Sequence, residues 1–277
     1  MPSPAPDELT QARMETAHRH AADRIGINCD GPPAWGWGGR TIGRRGGPHW
    51  LRLLSCPADM ARGKLWTGTQ DAETAFPASV PRPRLIDVYE WQGDSTAYRA
   101  ELTTYVDQPV ISTSPDISHT PVLPPAWWSR LRAALYTVAK APTERQAVRA
   151  QWISRGFPAY LGIPAPPAVE WVTSHADLHW ANITAGPLTV LDWEAWGLAP
   201  AGYDAGHLHA YSLRIPLLAA RVRAEFAATL NTPAGQTGEL TALAQLLQVA
   251  SRGGHPELHT AWRARAEELT GTPPPRW

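Results

Sequence analysis

The chain changes texture once, and that change limits the folds open to it. Before residue 106, short apolar runs are separated by glycine turns: Trp35-Gly36-Trp37-Gly38-Gly39, then Thr41-Ile42-Gly43, then Trp50-Leu51-Arg52-Leu53-Leu54. Runs this short, bounded by glycine, predict strands joined by tight turns. Two longer strands are expected over residues 84–91 and 96–106, with Gly93-Asp94 at the turn between them. A helix is expected over residues 7–25, with Asp7 as its cap and Leu9, Met14, Ala17, Ala21 and Ile25 near one face; a shorter one covers 65–76. Residues 107–125, rich in Pro, Ser, Thr and Asp, read as a connector. After Pro124-Pro125 helical spacing takes over, with Trp127, Trp128, Leu131, Ala134 and Leu135 on one face. Further helices are expected over 143–160, 205–231 and 237–269, before Pro273-Pro274-Pro275 ends the pattern. A strand-rich part followed by a helix-rich part predicts an α+β chain of two lobes, residues 1–105 and 106–277.

Composition removes several function classes. The chain has 43% hydrophobic and 18% charged residues, the balance of a globular protein. Formal net charge is zero, which supplies no electrostatic reason to expect nucleic acid or an anionic membrane as partner. No apolar run approaches the roughly 20 residues of a membrane span. Met1-Pro2-Ser3-Pro4 begins no basic-then-apolar signal pattern. Cys29 and Cys56 are too few for a disulfide framework. These features predict a soluble, cytoplasmic protein. Nothing in the pattern sets its oligomeric state.

The residues that carry chemistry are concentrated between His175 and Asp192, in the order His175-Ala176-Asp177-Leu178-His179-Trp180-Ala181-Asn182, then Ile183-Thr184, the turn Ala185-Gly186-Pro187, and Leu188 to Asp192. Phosphoryl transfer from Mg-ATP needs a carboxylate that takes or orients the proton of the attacking hydroxyl, together with oxygen ligands for the metal. Asp177 and Asn182 on a loop, with a hairpin returning Asp192 towards them, suit that task. A hard ion such as Mg²⁺ prefers such oxygen donors.

The pattern His175-Ala-Asp177-(four residues)-Asn182, followed by Leu191-Asp192-Trp193-Glu194 and Gly202-Tyr203-Asp204, resembles the aminoglycoside phosphotransferase and choline kinase-like family. That family typically shows H-G-D-x-x-x-x-N, then an apolar strand ending in D-W or D-F, then a Y-D-x-A-like segment. The resemblance implies a bilobal, protein-kinase-like fold, with a small antiparallel-sheet N-lobe that binds nucleotide and a mainly helical C-lobe that binds the acceptor. It implies Asp177 as catalytic base or hydroxyl-orienting residue, Asn182 and Asp192 as Mg²⁺ ligands, and Asp204 as a brace for the catalytic loop. His175 reads as structural. Glu194, two residues after Asp192, is a candidate for the metal or substrate.

The nucleotide-gripping side departs from the kinase pattern. Gly36, Gly38 and Gly39 are the candidates for a phosphate-approaching turn, since bound phosphate needs close backbone N–H groups. Arg52 stands where kinases usually carry lysine; lysine occurs only at Lys64 and Lys140. Arginine can grip phosphate as a fork. Glu73 is the candidate to pair with Arg52, and Glu101 to Tyr105, with Leu102 and Thr103 at the centre, the candidate hinge that reads the base. Trp180 and Trp196 flank the motif and are candidates to stack on a substrate ring.

The expected activity is transfer of the γ-phosphoryl group of ATP, or GTP, to a hydroxyl of a small molecule. Aminoglycosides, amino alcohols, sugars and natural products are the acceptor classes. The short run from Trp193 to Ala199 leaves no room for the activation segment of a protein kinase. Two rivals remain at this level. One is a nucleotide-binding pseudokinase or scaffold, motivated by Arg52. The other is a hydrolase metal cluster drawn from His175, Asp177, His179, Asp192, His207 and His209.

Overall fold

The computed structural model describes residues 4–36 and 38–276. Met1–Ser3, Trp37 and Trp277 lie outside the described residues, and with them the expected strand position at Trp37. Contacts divide the chain into two units, residues 1–74 with 82–107 and residues 75–81 with 108–277.

The first unit opens with α1 (Glu8–Ile25). Asp7 caps it by accepting from the Thr10 N–H at 2.7 Å, and Gly26 ends it in the left-handed region at φ 80°. Strands β1 (Ala34–Trp35), β2 (Thr41–Gly46) and β3 (His49–Pro57) follow, then α2 (Lys64–Ala75), β4 (Leu85–Gln92) and β5 (Thr96–Thr104). The sheet is antiparallel throughout, in the order β1-β2-β3-β5-β4. Alternation gives it two different faces. Leu51, Leu53, Ala100, Leu102 and Ile42 point towards Met14, Ala17, Ala21 and Ala22 of α1 and form an apolar core. Leu9, expected on that face, is 85% exposed, because α1 reaches the sheet only after its first turn.

The opposite face holds the cross-strand pair Arg52 and Glu101. Arg99, buried there, is matched by Glu101 at 3.0 Å, Gln70 of α2 at 2.8 Å and Glu90. A buried guanidinium is tolerated only when its donors are met in this way.

The second unit contains α3 (Pro125–Ala139), α4 (Ala150–Gly156), β6 (Trp171–Ser174), β7 (Gly197–Pro200), α5 (Tyr203–Ser212), α6 (Pro216–Glu225), α7 (Ala227–Leu230), α8 (Pro233–Ala250) and α9 (His259–Thr270). Residues 107–124 form neither helix nor strand, as the connector composition predicts. The helix expected over 143–160 is shorter. Residues 145–148 are not helical, because Arg145 O accepts from Leu198 N and the Ala147 and Val148 N–H groups donate to Leu198 O; α4 and a π-helical turn over Phe157–Leu161 follow.

Residues 205–231 are likewise three helices rather than one, since Pro216 starts α6 afresh and Phe226 interrupts the helical backbone before α7. The pattern over 237–269 splits at Gly253-Gly254 into α8 and α9. All ten residues of α5 are buried, so it runs through the interior with side chains engaged on every side. Among the described residues no helix is long and apolar enough to cross a membrane.

Candidate active site

Asp177 sits on the loop that leaves β6, and α5 holds that loop. Asp204, in the first turn of α5, accepts from the His175 and Ala176 N–H groups, each at 2.8 Å. His207, one turn on, meets Leu178 O through Nδ1 at 3.2 Å. At the end of α5, Ser212 Oγ accepts from Trp180 Nε1 at 3.0 Å. Ala176 takes a left-handed conformation, φ 70°, uncommon for a residue with a side chain.

His175 is fully buried; its Nε2 meets Leu191 O at 2.8 Å and its ring meets Trp193 edge-on at 4.7 Å. It is structural, as expected. Its bond to Leu191 O, with the Leu191 N–H donating to Asn182 O at 2.8 Å, fixes the backbone next to Asp192 against the loop. The expected hairpin is two short rungs: Ile183 faces Val190, and Thr184 N donates to Thr189 O at 3.1 Å. The Gly186–Pro187 bond in its turn is cis.

The amide of Asn182 is oriented. Its Nδ2 donates to Asp177 O at 2.9 Å and Asp177 Oδ2 at 3.2 Å, and lies 3.2 Å from His179 Nε2. Among the described residues Oδ1 accepts nothing, so the oxygen is the end left for a ligand. Asn182 Oδ1 and the exposed Asp192 carboxylate are hard donors of the kind Mg²⁺ takes, and the donor set therefore fits that ion. Asp192 itself has φ 60°. Burial pushes the Asp177 carboxyl upward, but the His179 bond and the positive charge that His179, His207 and His175 carry when protonated outweigh it and hold its pKa below the usual carboxylate range. Asp177 is therefore ionised throughout the physiological range.

The hydrolase cluster does not form. His175 is spent on Leu191 O, His207 on Leu178 O, and His209 Nδ1 on Glu239 at 2.8 Å. Trp180 and Trp196 do not flank a substrate either. Both are fully buried: Trp180 packs edge-on to Trp128 at 6.3 Å, and Trp196 packs on Phe76 at 4.7 Å and under the Arg145 guanidinium at 4.6 Å. Glu194 offers its backbone carbonyl to Arg145 at 3.2 Å. Arg145, which sequence reasoning did not single out, thus clamps the short run after Asp192.

An acidic group missed in the sequence lies in the same unit. Asp116, His255 and Glu257 bring ligating atoms within 4.8 Å of one another, and Arg214 binds Asp116 at 2.6 Å. The Tyr211 ring meets His255 at 5.5 Å and His179 at 5.8 Å. Burial, then the charges of Asp177, Asp116 and Glu257, push its phenol up, so the hydroxyl lies in the field of all three carboxylates. No local spacing could reveal this group, because Asp116 lies far along the chain from His255 and Glu257.

In the first unit, Arg52 lies half-buried on the polar sheet face. Glu73 does not pair with it. Glu73 stands at the end of α2, where its carboxylate takes Arg82 at 3.1 Å, Arg84 Nε at 2.8 Å and the Leu85 N–H at 3.2 Å. Leu102 and Thr103 lie inside β5 with partners on both β3 and β4, and Leu102 faces the α1 core; the chain leaves the ladder only after Thr104. Gly36 and Gly39 are required by close approaches: an added Cβ would come within 2.0 Å of Thr41 Oγ1 and 2.3 Å of Ala5 N respectively. Gly38, at φ 56°, has open space around it and is the one of the three whose surroundings leave room for a ligand.

With the geometry established, comparison with known proteins is informative. The model of the phosphotransferase enzyme family, APH, matches residues 77–246. No curated protein sequence matches. Among solved structures, a thermostable mutant of aminoglycoside phosphotransferase APH(4)-Ia, in ternary complex with AMP-PNP and hygromycin B, aligns at 16% identity and TM-score 0.63, covering 92% of this chain and 97% of that one. A choline/ethanolamine kinase family protein from Mesorhizobium loti aligns at 16% identity and TM-score 0.55, covering 94% and 95%. Macrolide 2'-phosphotransferase MphH from Brachybacterium faecium aligns at 16% identity and TM-score 0.54, covering 93% and 98%. These likenesses show the kinase-like fold, and the family match, spanning more than half of the chain, shows that it belongs to the phosphotransferase enzyme family.

Proposed function

We propose that this phosphotransferase moves the γ-phosphoryl group of Mg-ATP to a hydroxyl of a small molecule. The observation that carries the reading is the Asn182 amide, tied through Nδ2 to the Asp177 backbone and carboxylate with Oδ1 left over. Such an arrangement couples a metal ligand to a hydroxyl-orienting carboxylate. Asn182 Oδ1 and Asp192 would hold Mg²⁺, which when bound neutralises charge on the phosphate oxygens. Asp177 orients the acceptor O–H. As the oxygen–phosphorus bond forms and the bond to the β,γ-bridging oxygen breaks, ADP leaves and the hydroxyl proton passes to Asp177.

The nucleotide complexes among the structural neighbours support ATP as donor, with GTP as the alternative, and their bound hygromycin B and amicoumacin support a small-molecule acceptor. The acidic group of Asp116 and Glu257 beside Tyr211 favours an acceptor that carries positive charge, such as an aminoglycoside or amino alcohol, over a neutral sugar. Arg52, Gly38 and the backbone beyond Thr104 are proposed to meet the nucleotide in the first unit. The proposed place of work is the cytoplasm, where ATP is supplied.

An ADP-release screen with Mg-ATP against aminoglycosides, amino alcohols and sugars tests this. The expected result is acceptor-stimulated release with at least one cationic member, lost in Asp177→Asn. One rival is a nucleotide-binding scaffold: Glu73, the helical carboxylate expected to pair with Arg52, is held by Arg82 and Arg84 instead. Mg-ATP binding without release across the whole panel would favour that rival.

A further inference from the structure

The conformation of Ala176 asks what keeps Asp177 aimed. At φ 70° the residue before the catalytic carboxylate occupies a region that suits glycine, and here it carries a methyl group. Strained backbone persists only where its surroundings hold it from more than one side. On the N-terminal side the hold is Asp204, through the His175 and Ala176 N–H groups. On the C-terminal side Asn182 Nδ2 donates to Asp177 O at 2.9 Å, and from α5 His207 reaches back, its Nδ1 3.2 Å from Leu178 O. A carbonyl can only accept, so Nδ1 carries the proton and His207 donates.

His207 is itself fixed. It is 6% exposed, its ring stacks on Tyr203 at 5.7 Å and 15°, and Tyr211 meets it edge-on at 5.1 Å. Burial, outweighing the raising influence of Asp177, pushes its pKa down to about 4, so it is a neutral donor at physiological pH. Asp204 and His207 are three residues apart and therefore share one face of α5. The helix grips the strained turn on both sides of Asp177.

We propose that His207 is a positioning residue: its Nδ1–H, bonded to Leu178 O, is the second clamp that holds the strained Ala176 turn and so aims Asp177 at the acceptor hydroxyl. The consequence for catalysis rests on the phosphotransfer reading above; the consequence for the loop does not.

Three variants separate the donor from the ring. His207→Phe keeps an aromatic ring and loses the donor. His207→Asn keeps a donor, Nδ2, close to the Nδ1 position and loses the ring. Ala176→Gly combined with His207→Phe removes the strain that the clamp opposes. Each is checked for folding by its melting temperature, then followed in two ways: Mg-ATP turnover by ADP release with water as acceptor, and amide hydrogen exchange over residues 175–182.

Expected for His207→Phe is a fall of about 10-fold in kcat with the KM for ATP unchanged, and faster exchange over the loop. His207→Asn should hold kcat within about 3-fold of wild type even where its melting temperature falls, because the lost ring affects packing more than the clamp. The Ala176→Gly, His207→Phe double variant should recover most of the lost kcat. A fully active His207→Phe, a His207→Asn as slow as His207→Phe, or a double variant no faster than His207→Phe would each overturn the proposal. If the wild type shows no Mg-ATP turnover with water or with any acceptor of the panel, the phosphotransfer reading fails and exchange alone decides: equal protection in wild type and His207→Phe overturns the clamp, and faster exchange in His207→Phe sustains it.

Discussion

At the scale of single residues, the site is organised by what each polar group has left to offer. Asn182 has spent its nitrogen on Asp177 and keeps its oxygen; His175 and Asp204 have spent everything on the loop. A prediction follows from Asn182. In Asn182→Ala the Mg²⁺ concentration for half-maximal ADP release should rise at least about 10-fold, as expected when a metal site loses one oriented oxygen. An unchanged Mg²⁺ requirement would remove Asn182 from the metal site.

What local order made legible was placement: Asp177 and Asn182 on one loop, Asp192 at the end of the hairpin that follows, and His175 as a structural residue beside them. Glu73, Trp180 and Trp196 were misread because their partners are set by tertiary packing. Burial took both indoles into the core, and Arg82 and Arg84 took the carboxylate. His207 carried a usable signal, the three-residue spacing from Asp204, but it stood among other histidines that suggested metal.

At the scale of elements, α5 is the part that holds the Asp177 loop, and Glu239 of α8 anchors it. Fully buried, Glu239 meets His209 of α5 at 2.8 Å, Arg223 of α6 at 3.0 Å and Arg265 of α9 at 2.8 Å. Gly206 permits the close approach, since a Cβ there would come within 2.5 Å of the Glu239 Cα. Burial raises the Glu239 carboxyl, but the bonds and charges of His209 and Arg265 prevail and leave it at about 2, below the ordinary 4.5.

The folded state thus binds this proton less readily than the unfolded chain. The Glu239 contribution is complete above about pH 4.5 and is lost as pH falls towards 2. Urea midpoints measured across that range should fall more steeply in wild type than in Glu239→Gln. Parallel curves would contradict the assignment. At neutral pH, Glu239→Ala should cost on the order of 3–5 kcal/mol, because it strands buried cations. None of this network was visible as a pattern. The helix breaks at Pro216 and Gly253-Gly254 were readable in principle, whereas the loss of helix over 143–149 depends on pairing with β7, some 50 residues further along the chain.

At the scale of the whole molecule, the change of texture near residue 105 foretold an α+β chain, and the sheet of the first unit and the helices of the second bear that out. Glycine turns between short apolar runs are a local signal, so the strands were legible; which sheet face would carry charge was not, because Arg99 and Glu101 look like an ordinary solvated pair in sequence. A nucleotide site formed only in the folded chain predicts that Mg-ATP raises its melting temperature, and that neither ATP without metal nor Mg²⁺ alone matches that rise. No shift with any nucleotide would count against both the enzyme and the scaffold.

The central claim, that Asp177 directs phosphoryl transfer to a small-molecule hydroxyl, is tested most directly by acceptor-stimulated ADP release from Mg-ATP in wild type and Asp177→Asn side by side. The account predicts stimulation by a cationic hydroxyl compound in wild type and its loss in Asp177→Asn, with Mg-ATP binding retained. Equal ADP release by the two proteins would contradict it.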